Sequence, residues 1–447
     1  MRILHVTHGF FPEGAGGVES YLRDVILAQR ADGHDARLLT GSHVPWPEAG
    51  LEEVELEGIP AWRVHRDDLF FDHFAKLWHP GVGRLFAGVL EEFQPDVVHV
   101  HQWIRLTCDL VEIAEERGVP TVVTLHDLYT SCPRCFRVRP DDEHCERTLS
   151  VASCVDCVPR YGHESDREIA TSIELFRDQY ASEVMRARAV LVASRATADL
   201  VTRTTPIDPA RITLLPLAYR PRFDGVRAAP PVAGEPLRFG YWGNLTARKG
   251  VPVLVRAFRE LMATAPSRPV ELHLFGKVDT DALDAELRAI ADGLPVTFHG
   301  RFEYADLIAA RLHCAVFPMV CFETYGFVLD EAFELGLPAV VTDVGAIPTR
   351  AGDAAVRVAP RDVAGMAAAL GRVVEEAGLL EQLRQAIAPV GLTLAEHVLR
   401  LTDLYREARD AAPRAPGDPS LPRRRAELLL LQRETALRPI TPDGGPR

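Results

Sequence analysis

The chain alternates short apolar runs with amphipathic stretches, and it does so twice. Strand-like runs stand at 2–7, 36–39, 97–101, 121–125 and 189–193, and a second series follows at 237–242, 271–275, 296–299, 314–317 and 339–342. Runs that are apolar throughout belong to strands buried on both faces, and helical stretches between them make the sheets parallel and two-sided. Between the two series, Pro216, Pro221, Pro230, Pro231 and Pro236 crowd a segment that neither a helix nor a central strand accommodates. A chain of 447 residues also exceeds what one hydrophobic core holds. The expected organisation is an α/β domain over 1–215, a linker over 216–236, a second α/β domain over 237–393, a helix over 394–411 and a Pro/Arg-rich tail over 412–447.

The run CFETYGFVLDEAFELGLP, residues 321–338, carries the densest chemistry. It reads as a loop after the strand 314–317, a helix beginning near Tyr325, and an αL stop at Gly336. Glu323 then sits in the loop, beside a helix N-terminus whose Gly326 and Phe327 amides attract a diphosphate. Glu331, two turns further, is an acceptor for ribose or sugar hydroxyls. In the first half, Gly16 and Gly17 open a turn into a helix from about Val18, where backbone approaches a phosphate closely. His99, His101 and His126 lie near the ends of adjacent strands, where open α/β sheets place their ligand crevice, with His101 and His126 at the tips. In the second half, Asn244, Arg248 and Lys249 stand between the strand 237–242 and the next helix.

Together these segments resemble glycosyltransferase family 4, and the match runs from Arg2 to about Ala411. The resemblance implies the GT-B fold, two Rossmann-like domains with parallel sheets facing across a cleft. It implies a hexosyltransferase that moves a hexosyl unit, with retention, from a UDP- or GDP-linked sugar to a hydroxyl of a glycan, lipid-linked or small-molecule acceptor. On that reading the first domain is the acceptor side and the second the nucleotide-sugar donor side. His126, Lys249 and Glu323 are catalytic. Gly16, Gly17, Asn244, Arg248, Lys249, Glu323, Gly326, Phe327 and Glu331 bind the donor, and His101 faces the acceptor. No metal cofactor is required for catalysis, because a positioned cation and helix dipoles neutralise the leaving diphosphate. The family's Arg five residues before Lys249 is replaced by Asn244, so Arg248 is the expected substitute. Leu215 to Ala218 stands where the family has Pro-Asn-Gly, and Thr349 where it has Glu. The alternatives are an inactive nucleotide-sugar-binding subunit and a GT-B nucleotide-sugar 2-epimerase.

A net charge of −13 excludes a general nucleic-acid binder. No apolar run spans a bilayer and the chain opens directly into a strand, so a cytoplasmic protein is expected. The basic, apolar segment 423–431 in the tail reads as a surface helix or unfolded tail, with peripheral contact to anionic lipid on the inner membrane face as its other use. Five of the eight cysteines fall between 132 and 157, in an insertion over 127–165. Cys132 and Cys135 are separated by two residues, Cys154 and Cys157 by two, and the pairs by eighteen, with His144 and Cys145 between them. That spacing predicts a structural four-Cys metal site, zinc ahead of an iron–sulfur cluster, with two disulfides or a redox role as the rival readings.

Overall fold

A computed structural model describes residues 1–14, 16–68, 70–388 and 391–436; the last part of the tail, 437–447, lies outside the described residues. The chain divides into two compact units, the first made of 1–136, 146–218 and 392–447, the second of 137–145 and 219–391.

The first unit is built on eight strands: β1 Arg2–Thr7, β2 Asp35–Gly41, β3 Gly50–Leu56, β4 Ile59–His65, β5 Val97–Val100, β6 Thr121–Leu125, β7 Ala189–Val192 and β8 Ile212–Leu214. Their order is β3-β4-β2-β1-β5-β6-β7-β8, parallel except where β3 meets β4. β3 and β4 form a hairpin absent from the sequence expectation. Its signal was the pair Glu57-Gly58, both with positive φ, a two-residue turn between alternating runs. The helix Gly17–Ala31 buries Tyr21, Leu22, Val25, Ile26 and Gln29 along one stripe. The helix Leu394–Asp410 packs against it and belongs to this unit.

The second unit holds β9 Leu237–Trp242, β10 Val270–Phe275, β11 Val296–Gly300, β12 Cys314–Phe317, β13 Ala339–Thr342 and β14 Ala355–Val358, all parallel in the order β11-β10-β9-β12-β13-β14. β14 is an addition to the expected strands. The segment read as a linker does not run free. From Tyr219 onward it packs into this unit, with Phe223 in the core and the Tyr219 hydroxyl on Glu334 at 2.6 Å.

The tail also differs from a loose extension. Residues Leu421–Ala436 form a helix that packs on the helix Asp166–Arg186. Leu421 and Leu428 are buried there, and the buried Arg425 pairs with Glu112 at 2.7 Å and Asp109 at 3.2 Å. Gln432 donates to the Ala75 carbonyl at 2.7 Å. Leu429 and Leu431 are half-buried and Leu430 is exposed. Among the described residues no helix is long and apolar enough to cross a membrane. Residues 137–145 of the cysteine-rich insertion group with the second unit, where Glu143 pairs with Arg361 and His144 stacks on Phe322.

Candidate active site

Each sheet reverses its winding once, and the chemistry collects at those reversals. In the second unit the switch point lies between β9 and β12, whose carboxyl ends open into the loops 243–250 and 318–326. Glycine lets these loops touch. Gly250 has φ +75, and a Cβ there would lie 1.7 Å from the Pro318 carbonyl oxygen. The amides of Val320 and Cys321 both donate to the Arg248 carbonyl, at 3.1 and 2.9 Å. This close approach brings the Lys249 ammonium into an ion pair with the Glu323 carboxylate. Burial works against the Lys249 charge, but Glu323 prevails and holds its pKa above the ordinary value. Arg248 and Asn244 are exposed on the same turn.

Glu323 is anchored from the other side by the loop after β13. The Ala346 amide donates to the Glu323 carbonyl at 2.7 Å, and a Cβ on Gly345 would lie 2.5 Å from that oxygen. Gly326, at φ +81, opens the helix Phe327–Glu334 without a side-chain cap, so the first-turn amides, Phe327 among them, have no capping side chain. Arg350 donates to the Tyr325 and Gly326 carbonyls and pairs with Asp330 at 2.7 Å, which pins the turn. Glu331 does not join Glu323. Its two oxygens accept from Trp242 Nε1 at 2.6 Å and Tyr304 Oη at 3.0 Å, and burial pushes its pKa up to about 7. One lone pair on each oxygen remains for a hydroxyl. Trp242 and Tyr304 carried no sequence signal, since their partner became visible only with the fold.

In the first unit the switch point lies between β1 and β5. Beyond β1, Gly16 and Gly17 begin the helix Gly17–Ala31, again with no side-chain cap. A Cβ on Gly16 would lie 2.8 Å from Glu19 Oε2, so the buried Glu19 folds back over this turn. Burial raises the Glu19 pKa.

His101 and His126 are brought together at the strand tips, but as members of a longer chain. Gln29 Oε1 meets His5 Nε2 at 2.8 Å, His5 Nδ1 meets His101 Nε2 at 3.0 Å, and His101 Nδ1 meets His126 Nε2 at 2.8 Å. Burial keeps these imidazoles neutral: His5 falls to a pKa of about 4, His126 to about 3, and His101 well below its ordinary value. An amide oxygen only accepts, so His5 Nε2 carries the proton and its Nδ1 carries a lone pair. His101 then donates from Nε2 and accepts at Nδ1, and His126 donates from Nε2. The consequence is a lone pair at His126 Nδ1, imposed by a glutamine three residues' worth of relay away.

His99, which sequence reasoning set aside, joins through Thr124 at 2.7 Å and Tyr405 at 2.7 Å. Nearby, His397 donates to the Pro216 carbonyl at 2.9 Å and accepts from the Tyr21 hydroxyl at 2.7 Å. His5, His99 and His101 hold ligating nitrogens within 4.8 Å of one another, as do ligand atoms of Asp67, Asp68 and His79. All six nitrogens of the histidine trio are engaged in hydrogen bonds, which makes it a relay rather than a metal centre. The signal for His5 was a histidine inside an otherwise buried apolar strand.

Cys132, Cys135, Cys154 and Cys157 lie in the first unit, away from these groups in sequence, each partly exposed.

Two units of open, mostly parallel sheet, with glycine turns, uncapped helix starts and charged side chains at their switch points, have the arrangement of α/β proteins that take ligands at the carboxyl ends of their strands. The family model described as Glycosyltransferase Family 4 matches residues 15–221, and that described as Glycosyl transferases group 1 matches 236–376. The chain belongs to these glycosyltransferases and has the GT-B fold. It is 25% identical over 412 residues to glycogen synthase of Mycobacterium tuberculosis, covering 86% of this chain and 89% of that protein. It is 25% identical over 413 residues to an MMP alpha-(1->4)-mannosyltransferase of Mycolicibacterium hassiacum, covering 82% and 88%. Among solved structures, sucrose-phosphate synthase of Thermosynechococcus elongatus superposes with a TM-score of 0.62 at 17% identity, over 92% of this chain and all of that one. Anabaena HepE, in complex with UDP and glucose, gives 0.60 at 16% identity, over 91% and 99%.

Proposed function

We propose that the chain transfers a hexosyl unit from a nucleoside diphosphate sugar to a hydroxyl of a glycan, lipid-linked or small-molecule acceptor, with retention at the anomeric carbon. The observation that carries this reading is the Lys249–Glu323 pair, set at the β9/β12 switch point beside the uncapped start of the helix Phe327–Glu334. An anion entering there meets an ammonium and a set of amide donors. As the bond to the anomeric carbon breaks, negative charge grows on the diphosphate, and groups already placed to receive it lower that barrier. The Lys249 ammonium moves from Glu323 to the diphosphate, which frees the Glu323 carboxylate to accept from sugar hydroxyls. Arg248, on the same turn, supplies the second cation in place of the arginine that Asn244 replaces. Glu331 accepts from the ribose, and its Trp242 and Tyr304 bonds hold it in register. In the first unit, Gly16 and Gly17 receive a phosphate or acceptor group, and His126 Nδ1 accepts a hydrogen bond from a hydroxyl. No step in this scheme calls on a divalent cation.

The presence of UDP and glucose in Anabaena HepE supports UDP-glucose as the first donor to test. A panel of UDP-, GDP- and ADP-sugars is screened for hydrolysis and for transfer to glycan and sugar-phosphate acceptors, with the product anomer read by NMR. Lys249→Ala and Glu323→Gln should each lower turnover about 100-fold or more while leaving the unfolding midpoint near that of the parent. Turnover near the parental value in both variants, or an inverted product, would remove the assignment.

A further inference from the structure

We propose that Cys132, Cys135, Cys154 and Cys157 bind one zinc ion as four thiolates, a structural centre at the base of the insertion and separate from the transfer site. The first pair forms a tight turn: the Cys135 amide donates to the Cys132 carbonyl at 2.8 Å, and the Phe136 amide donates to the Arg134 carbonyl at 2.8 Å. Cys135 itself has φ +66, a left-handed conformation that a residue with a Cβ adopts at a cost on the order of 1 kcal/mol or more unless its surroundings impose it. The second pair closes in the same way. Ser150 caps the single turn Val151–Cys154, and the amides of Cys157 and Val158 both donate to the Cys154 carbonyl, at 2.9 and 3.0 Å. A Cys-x-x-Cys segment bent by this bond is the form in which two neighbouring sulfurs grip one metal.

Two such turns serve one metal only when they lie side by side, and here a hydrogen bond joins them. Arg134, inside the first pair, donates from Nη1 to the Cys157 carbonyl at 3.1 Å, so the two turns touch across the eighteen intervening residues. Charge supports the same conclusion. Four thiolates around Zn²⁺ carry a net charge of −2. Three guanidiniums hydrogen bond to carbonyls within the second turn: Arg134 on Cys157, Arg147 on Ser153 at 3.3 Å and Arg160 on Val155 at 3.4 Å. Arg160 also pairs with Asp166 at 2.7 Å, and positive charge so placed is favourable around a dianionic centre.

The insertion has a small apolar core of its own. Between 132 and 157 its regular structure is one helical turn and the antiparallel bridge Val138–His144; Val138 and Leu149 are its buried apolar side chains, while Phe136 is exposed. Zinc binding would add a staple to a segment with so small a core, with up to four protons released as the thiols ionise. Four protein ligands leave no open coordination position, so the ion is structural and not chemical.

Elemental analysis of the full-length chain, purified without added metal, should find about one zinc per molecule. Titration with an organomercurial in the presence of a chromogenic chelator should release that zinc as four thiols react. The Cys132→Ser/Cys154→Ser variant should lose the ion, whereas Cys108→Ser, outside the insertion, should keep it. Because the double variant can fail to fold, the parental chain is also refolded with Co²⁺ alone, and the intense visible bands of a tetrahedral thiolate centre are expected. A metal-free chain, a disulfide within either pair by non-reducing peptide mapping, an iron chromophore, or zinc retained by the double variant would each overturn the proposal.

Discussion

Lowering the pH from 7.5 to 5.5 should weaken the first unit by an amount that its buried histidines set. Burial lowers His5 and His397 to about 4, His126 to about 3, and His99 and His101 well below 6.5, the value each regains in the unfolded chain. These are folded pKa values depressed for a base, so the native unit refuses protons that the unfolded chain binds. Their contribution is complete above pH 6.5 and is lost as pH falls toward the folded values. Each costs about 1.4 kcal/mol over this range, and the five together about 7 kcal/mol. Glu183 works in the opposite direction. Burial raises its pKa to about 8, so the native unit takes up a proton that the unfolded chain does not, which returns about 2.5 kcal/mol. The net loss is on the order of 4 kcal/mol, a large part of the roughly 5–15 kcal/mol that native domains possess. His8 and His73 add to the loss, and the raised carboxyls of Asp109, Asp127 and Glu19 subtract from it. Urea unfolding at the two pH values reads this directly, followed by tryptophan fluorescence, since Trp46, Trp62, Trp78 and Trp103 all lie in the first unit and Trp242 alone in the second. His99→Gln should reduce the pH dependence by about 1.4 kcal/mol, the share of one proton site. An unfolding midpoint that is unchanged or higher at pH 5.5 would refute the assignment of these rings as neutral and buried.

Three further outcomes are expected. Gln29→Met leaves the His5 N–H without its acceptor and frees the relay to reverse, so stability should fall by about 1–3 kcal/mol and donor turnover should fall with it; unchanged turnover would reduce Gln29 to a packing residue. Gly250→Ala forces a Cβ against the Pro318 carbonyl and should part the two loops that hold Lys249 and Glu323, lowering turnover at least tenfold in a donor-hydrolysis assay, and parental activity would show the loop contact to be dispensable. Arg425→Ala leaves Asp109 and Glu112 beneath the tail helix without their cation and should cost about 3 kcal/mol by chemical unfolding, whereas a loss below about 0.5 kcal/mol would make that helix a passive surface element.

The division of this protein into two α/β halves, and the position of its chemistry, followed from local rules. Continuous apolar runs name buried parallel strands, so β1, β6, β9, β12 and β13 were found with their bounds intact. Glycines at required turns and Glu323 beside a helix start were legible because their reasons lie within a few residues. What local rules do not carry is which distant side chains share a cavity. The pairing of Lys249 with Glu323 depends on Gly250 allowing two loops to touch, and the occupation of Glu331 by Trp242 and Tyr304 depends on three separate elements converging. The tail is a similar case: its helix was one of the two forms expected, but that Leu421 and Leu428 pack on the helix Asp166–Arg186 was not legible from the segment alone. The histidine relay is the clearest case. Each ring was visible as a residue in a strand, but its protonation state and tautomer are set by burial and by a glutamine on another element, properties that exist only once parallel strands have stacked the rings within hydrogen-bond reach.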